Sequence, residues 1–190
     1  MGTHTLNERW CRPLGERWKD HLVSLAGVNP VGPATEPTVD PAGEGWLFAG
    51  VSTDTVAVLT AQINHDAKQG SVMISPHIHW RKTTAAAGNV TWKLEAKSAA
   101  PGGDYGDYVT IGEVSTTSEY TTDNNTATRH LITEFGDYTM TMALSTIIIF
   151  KLTRVASNTS TDTYGADALA MSIDFHYQVD TPGSQLEYSK

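Results

Sequence analysis

The stretch Thr55–Ile63, with the sequence TVAVLTAQI, decides the fold class of this chain. Apolar residues at every second position, from Ala57 to Ile63, alternate with a mixed set that runs from Val56 to Gln62. A period of two residues places alternate side chains on opposite faces of an extended strand. One face then suits a core and the other a half-exposed surface, so we predict a β-strand over Thr55–Ile63.

Further runs have the same strand-like character and bring the predicted total to about eight strands. They are Trp46–Val51, Ser71–Arg81, Asn89–Ser98, Tyr108–Val114, Thr128–Phe135, Ile147–Val155 and Ala168–Val179. The connecting segments are rich in turn-forming residues, and no convincing helix separates the strands. Consecutive strands without intervening helices favour an all-β, antiparallel β-sandwich. Eight strands favour the jelly-roll type of sandwich.

Residues 1–45 differ from the rest, and we predict an extended, Pro-rich N-terminal arm here. The sandwich domain would follow at 46–180, and a C-terminal tail at 181–190. Two tryptophans of the arm occur in similar contexts, and residues at helical spacing predict a short amphipathic helix over Arg17–Leu25. Pro30, Pro33, Pro37 and Pro41 indicate extended, polyproline-like chain. Such a segment cannot form its own core, so we expect it to lie on the sandwich or on a neighbouring subunit.

Charge and composition exclude several classes of partner. The net charge of −8 argues against binding to nucleic acid or to an anionic membrane, because such proteins carry clustered Lys and Arg. The single cysteine, Cys11, excludes an internal disulfide and a multi-cysteine zinc site. Met1–Trp10 lacks the apolar core of a signal peptide, and the longest apolar run, Ile147–Phe150, is too short to span a bilayer. We therefore expect a soluble protein made in a reducing compartment.

The segment Ser75–Trp80, SPHIHW, is the strongest candidate for chemistry. His77 and His79 would lie on one face of a strand, as two of the ligands of a metal site or as a polar stripe. Cupins use this HxH spacing for metal ligands, but they also require a nearby glutamate, which is absent here. Arg81 and Lys82 follow the pair instead, and their charge opposes cation binding. His176 and His130 are the further imidazoles that the fold would have to bring close. The sequence thus favours packed or interface histidines without a metal.

Other patterns of chemistry are weaker. Two acidic loops, at 102–107 and 162–167, lack the spacing of a calcium loop and are interpreted as solvated turns. No nucleophile elbow, phosphate loop or dinucleotide fingerprint occurs, so we expect no catalytic residues, no cofactor and no enzyme activity. Aromatic residues in or near predicted loops, namely Tyr105, Tyr108, Tyr120 and Tyr164, leave a carbohydrate-binding module as an alternative.

Two segments resemble a known group of proteins. Pro76-His77-Ile78-His79-Trp80, together with the ending SIDFHYQVDTPGSQ at Ser172–Gln185, resembles poorly characterised proteins encoded among the structural genes of tailed bacteriophages. Those proteins pair a PHxHW segment with a DFHYQxDTxGS-like ending. The resemblance covers most of the chain from about Trp46 onward and makes His77, His79, Trp80, His176 and Tyr177 a structural signature.

The resemblance implies a structural component of a bacteriophage virion, assembled in the cytoplasm of the host bacterium. It would decorate or cement the capsid, or form a tail fibre or adaptor subunit, and it would be a homo-oligomer, by analogy a homotrimer. Its partners would be copies of itself and other capsid or tail subunits. We expect attachment through the arm, at Trp10, Trp18, Leu22 and the prolines Pro30, Pro33, Pro37 and Pro41. A module that binds host surface glycans and a cupin-like metal-binding protein are the alternatives.

Overall fold

The computed structural model describes residues 17–25, 35–115, 127–180 and 182–183, and these residues form eleven strands in two antiparallel sheets. In chain order the strands are β1 (Arg17–Ser24), β2 (Thr38–Val39), β3 (Trp46–Phe48), β4 (Thr55–Gln62), β5 (Gly70–Lys82), β6 (Thr91–Ala99), β7 (Val109–Ser115), β8 (Leu131–Glu134), β9 (Tyr138–Met142), β10 (Ile147–Arg154) and β11 (Ala168–Val179). All eight predicted strands are present, and the all-β prediction is confirmed. The count of about eight was too low, because β1, β2 and β9 were not foreseen.

The order of the strands is that of a jelly roll. The larger sheet has the order β2-β3-β11-β5-β8, with β1 also on β11 and β9 also on β5; the smaller sheet has the order β4-β10-β6-β7. Since β9 and β8 pair with successive parts of β5, they act as one strand that is broken near Gly136, whose φ is 89°. With β1 and β2 set aside, eight strands are then divided equally between two four-stranded sheets, as in two interlocked Greek keys.

Aromatic side chains from both sheets meet in the core. The ring of Phe48 lies 5.1 Å from that of Trp92 across the sandwich, and Trp80 lies 5.8 Å from the same indole. Phe150 of the smaller sheet and Phe175 of the larger one are also 5.8 Å apart. These residues are buried, so the two sheets share one apolar core.

The predicted helix over Arg17–Leu25 is wrong, because Arg17–Ser24 form β1 and pair antiparallel with β11. Strand alternation turns Val23 into the core and leaves Trp18 and Leu22 exposed on the opposite face. The apolar residues therefore occupy both faces of the strand. This distribution produced the apparent helical spacing in the sequence.

His21 helps to dock β1 on the sheet. Its ring stacks on Phe175 with 5.0 Å between the centroids, and its Nδ1 lies 3.2 Å from Asn64 Nδ2. Burial and the nearby Lys19 ammonium lower the pKa of His21, against a smaller opposing effect of Asp66. The neutral imidazole is therefore the form that fits between β1 and the core.

Residues 35–45 also lie along the sandwich. The Val56 amide donates to Thr35 O over 3.1 Å, and β2 pairs with β3. Pro37 is buried in this segment, whereas Pro41 is exposed in the turn between β2 and β3. Both described parts of the predicted arm thus pair with sandwich strands. Residues 1–16 and 26–34, with Trp10, Pro30 and Pro33, lie outside the described residues, as does most of the predicted tail at 181–190.

Within the part of the chain that the structure describes, no helix has the length and apolar character that crossing a membrane requires.

Candidate functional site

The candidate site lies on the face of the larger sheet that points away from the smaller sheet, which we call the outer face. In β5, Ile78 and Trp80 are fully buried in the core, so the alternating His77 and His79 stand on the outer face. Antiparallel pairing places Asp174 of β11 directly opposite His77. The predicted shared face of the two histidines is therefore confirmed, and the structure adds a carboxylate between them.

Asp174 bridges the two histidines of β5. Its Oδ1 lies 2.5 Å from His77 Nε2, and its Oδ2 lies 3.1 Å from His79 Nε2. The side chains of His77 and Asp174 keep only 10% and 12% of their exposure, and that of His79 keeps 20%. One carboxylate thus serves two imidazoles at a site that is largely removed from water.

The charges of this cluster shift two pKa values in opposite directions. Burial lowers the pKa of His77, but the Asp174 carboxylate raises it by more, so the pKa lies above its usual value. Burial raises the pKa of Asp174, but His77 and His79 outweigh it, so the pKa lies below its usual value. The pair therefore favours an ionised Asp174 beside a histidine that readily holds a positive charge.

His130 extends the cluster toward solvent. Its Nε2 lies 2.6 Å from His79 Nδ1, and the two rings stack with centroids 4.9 Å apart. His79 therefore uses both nitrogens, one toward Asp174 and one toward His130. Burial and the neighbouring His79 lower the pKa of His130, which favours a neutral ring that can accept or donate one hydrogen bond.

His176 is a neighbour of the cluster with a different partner. Its ring lies 5.2 Å from that of His77, while its Nε2 lies 3.1 Å from Asp20 Oδ1 of β1. Sequence reasoning named His176 and His130 as imidazoles that the fold would have to bring close, and both lie beside the β5 pair.

The other signature residues, Trp80 and Tyr177, are buried. The Trp80 indole donates to Thr133 Oγ1 over 2.9 Å, and the Tyr177 hydroxyl donates to Asp66 Oδ1 over 3.0 Å.

The two basic residues after the histidine pair do not act as expected. Lys82 is fully buried on the core side, where its ammonium donates to Gly88 O over 2.7 Å. Arg81 is paired with Glu44, with 2.7 Å between Nη2 and Oε2. The expectation that both cations oppose a metal is wrong for Lys82, which points away, and the charge of Arg81 is balanced by a carboxylate.

Next to the cluster, β1 presents apolar side chains to solvent. Trp18 is 58% exposed and Leu22 is 66% exposed, and both stand on the outer face of the sheet. Leu22 also lines a shallow groove of about 370 Å³ with His79, His130 and Met171. The histidine cluster and this apolar edge therefore form one continuous surface.

The loops present fewer exposed acidic and aromatic side chains than the sequence suggested. Asp162 and Tyr164 are buried, and Asp162 accepts hydrogen bonds from Arg154, so the interpretation of 162–167 as a solvated turn is wrong. Tyr108 is half-buried beneath the ammonium groups of Lys97 and Lys151, each 4.7 Å from the ring centroid. Tyr105 is 45% exposed, and Tyr120 lies outside the described residues.

Asp174 is the member of the site that sequence reasoning missed. No glutamate follows the histidines closely in the sequence, and the carboxylate comes instead from β11, far along the chain. The alternation in Asp174-Phe175-His176 places Asp174 and His176 on one face, which was a usable signal. Only the register between β5 and β11 shows that Asp174 faces His77. Chemically, two imidazoles and a carboxylate can share a proton or bind a cation.

Comparisons with known proteins add little beyond the fold. The chain matches no protein-family model and no curated protein sequence. Similar solved structures include the mosquito-larvicidal Cry4Aa toxin from Bacillus thuringiensis, at 15% identity and a TM-score of 0.46, covering 85% of this chain and 24% of that one. A structure of infectious bursal disease virus, Gx strain, gives 10% identity, a TM-score of 0.42, and coverages of 88% and 34%. A carbohydrate-binding module that recognises mannan gives 9% identity, a TM-score of 0.37, and coverages of 84% and 88%. The chain thus spans about a quarter of the first of these chains and about a third of the second.

Proposed function

We propose that the chain is a structural subunit of a tailed-bacteriophage virion and that it contacts neighbouring subunits through the outer face of β1. The observation that carries the proposal is the exposure of Trp18 and Leu22, at 58% and 66%, on the same face of one strand. A large aromatic and a large aliphatic side chain on a shared surface are typical of a protein contact rather than of a free surface. Tryptophan in particular is enriched among the residues that dominate binding energy.

The position of β1 supports the same role. It is the outer strand beside β11, and among the described residues no further strand pairs with its other edge. An open strand edge offers unpaired backbone groups to a second chain. A partner can therefore use both the apolar face and the backbone of β1.

The bacteriophage context comes from the sequence resemblance of Pro76–Trp80 and Ser172–Gln185. In that context the chain decorates or cements the capsid, or acts as a fibre or adaptor subunit, and it joins the virion in the host cytoplasm. We expect it to assemble with itself, as a homotrimer. Sedimentation equilibrium should then give a mass of three times 20.6 kDa, and a monomer at all concentrations would contradict this expectation.

The experiment that tests the proposal measures occupancy on particles. Phage particles lacking the gene are supplied in trans with the wild-type chain, with the double variant Trp18→Ser/Leu22→Ser, or with the control Val51→Ser/Val109→Ser. Val51 and Val109 are 65% and 56% exposed, so the control removes apolar surface of similar exposure elsewhere. Bound chain is quantified by mass spectrometry of purified particles.

The expected loss follows from the exposed fractions. Full burial of such a side chain contributes about 1.5–3 kcal/mol, so covering roughly two thirds of each contributes about 2–4 kcal/mol for the pair. That corresponds to about 30- to 700-fold weaker attachment. The control should retain wild-type occupancy. Equal occupancy of both double variants, or absence of the wild-type chain from particles, would refute the proposal.

The alternative of glycan binding has one supporting feature. Tyr105 is exposed and lines a groove of about 430 Å³ with Gln62 and Ser145, which is a size that suits a sugar unit. Lys97, however, lies 5.8 Å from the centroid of this ring and competes for one of its faces. A glycan array on the purified chain separates the two functions, since saturable binding that is lost in Tyr105→Ala would favour the glycan module.

A further inference from the structure

The cluster of His77, His79 and Asp174 has the composition and the spacing of a metal site. The three side chains offer one ligand atom each, and these atoms all lie within 4.8 Å of one another. A tetrahedral zinc ion, with bonds of about 2.0–2.2 Å, holds its ligand atoms about 3.3 Å apart. The two distances from Asp174, 2.5 Å to His77 and 3.1 Å to His79, are both shorter than that spacing, so the three side chains would have to move slightly apart to admit the ion.

Asp174 Oδ1 gives an independent reason to expect a cation. This oxygen is buried and has no partner in hydrogen-bond geometry, although His77 Nε2 lies only 2.5 Å away. The two atoms are thus close without the alignment that a hydrogen bond requires. The ion pair with His77 offsets part of the cost of burying this oxygen. A cation bound between the two atoms would supply the aligned contact that the pair lacks.

The surroundings allow a positive charge at this point. The Lys82 ammonium is on the opposite side of the sheet, and Arg81 is neutralised by Glu44. His130 Nε2 lies 2.6 Å from His79 Nδ1, so a His79 that binds metal through Nε2 has an outer partner that fixes its ring. Outer partners of this kind orient ligating histidines in metal sites generally.

We propose that His77 Nε2, His79 Nε2 and the Asp174 carboxylate bind a divalent transition metal, with zinc as the expected ion. Imidazole and carboxylate ligands suit zinc, whereas calcium and magnesium prefer sites made of oxygen ligands alone. Three protein ligands leave a coordination position for water or for a group from another molecule. The site differs from the expectation of a metal-free signature drawn from the sequence, and it does not depend on the proposed virion role.

Metal content and affinity test the site directly. The full chain is produced without an affinity tag, purified without chelators, and its zinc content is measured by inductively coupled plasma mass spectrometry. After removal of metal, Co²⁺ is added and its visible spectrum is recorded, and Zn²⁺ affinity is measured by competition with a chromophoric chelator. We expect one zinc per chain and the intense bands of four-coordinate Co²⁺.

The Zn²⁺ affinities of four variants distinguish ligands from neighbouring residues. His79→Gln and Asp174→Asn remove ligands and should weaken Zn²⁺ binding by more than about 100-fold, whereas His130→Gln removes an outer partner and should weaken it by about 10- to 100-fold. His176→Gln, a matched histidine on the same face, should leave the affinity unchanged. Far-UV circular dichroism checks that each variant is folded.

A readout on the wild-type chain keeps the test valid if a ligand variant fails to fold. Zn²⁺ binding to the native state alone raises the unfolding midpoint in proportion to the logarithm of its concentration. The proposal is overturned if the wild-type midpoint does not respond to Zn²⁺. It is equally overturned if Asp174→Asn and His176→Gln bind Zn²⁺ with the same affinity, since the ion would then occupy other surface histidines.

Discussion

Replacement of Asp162 by asparagine removes the negative charge that faces Arg154 inside the sandwich. Asp162 Oδ2 accepts from Arg154 Nε over 3.0 Å and Oδ1 accepts from Nη2 over 2.9 Å, and the two side chains are 1% and 0% exposed. The same guanidinium donates to Phe48 O and Ala166 O over 3.0 and 2.8 Å. This network joins β10, the end of β3 and the loop before β11, so it fixes where the strand that contains Asp174 begins.

The magnitude follows from burial. Asparagine keeps the size of the side chain and can still accept one hydrogen bond, but Arg154 is left as a buried charge without its counter-ion. Breaking a buried pair in this way costs about 3–5 kcal/mol. For a chain of this size about 1 kcal/mol corresponds to roughly 2–4 °C, so we expect the melting temperature to fall by about 6–20 °C.

A surface pair of similar length supplies the control. Arg81 and Glu44 are 2.7 Å apart, but the Glu44 side chain is 56% exposed. Glu44→Gln should therefore cost less than about 1 kcal/mol. Urea unfolding followed by tryptophan fluorescence, to which the buried Trp80 and Trp92 contribute, measures the two variants on one scale. Equal losses of stability in Asp162→Asn and Glu44→Gln would refute the reasoning from burial.

Three further predictions concern the packing that supports the site. Burial lowers the pKa of His21 in the native state below its unfolded value of about 6.5, so protonation of His21 favours the unfolded state as the pH falls through this range. In urea titrations the wild type should therefore lose stability relative to His21→Leu between about pH 8 and pH 5. A stability difference that stays constant over this range would contradict the prediction. Gly112→Ala should destabilise the chain by about 1–3 kcal/mol, since the new Cβ would lie 2.3 Å from Phe135 O, and an unchanged melting temperature in calorimetry would count against it. Thr133→Val should cost about 1–3 kcal/mol by removing the acceptor of the buried Trp80 indole, and calorimetry that shows no loss would exclude that role.

The fold could largely be predicted from strand periodicity, and its errors have physical causes. The alternation in Thr55–Ile63 predicted β4 to within one residue. The helix predicted for Arg17–Leu25 is wrong because Trp18 and Leu22 stand on the outer face of β1, which removes the alternation that marks a half-buried strand. β9 was missed because the chain turns at Gly136 and then resumes pairing with β5, and such a resumption depends on a partner strand rather than on local sequence.

The site could be predicted only in part. Strand alternation placed His77 and His79 on one face, as the structure has them. It could not supply Asp174, because the facing residue depends on the register between β5 and β11, with a bulge between Ala170 and Ser172. The burial of Lys82 could have been inferred from the same alternation, since it occupies the phase of Trp80. A lysine is rarely buried in a core, however, so its charge argued against this position.

A cryo-electron microscopy map of the bacteriophage particle, with this subunit located, tests the central claim most directly. We predict that the chain is present and that density of a neighbouring subunit covers the outer face at Trp18 and Leu22. Side chains of that neighbour should lie within contact distance of both residues. A map in which the chain is absent, or in which these two residues face solvent while another surface makes the contacts, would contradict the proposed role.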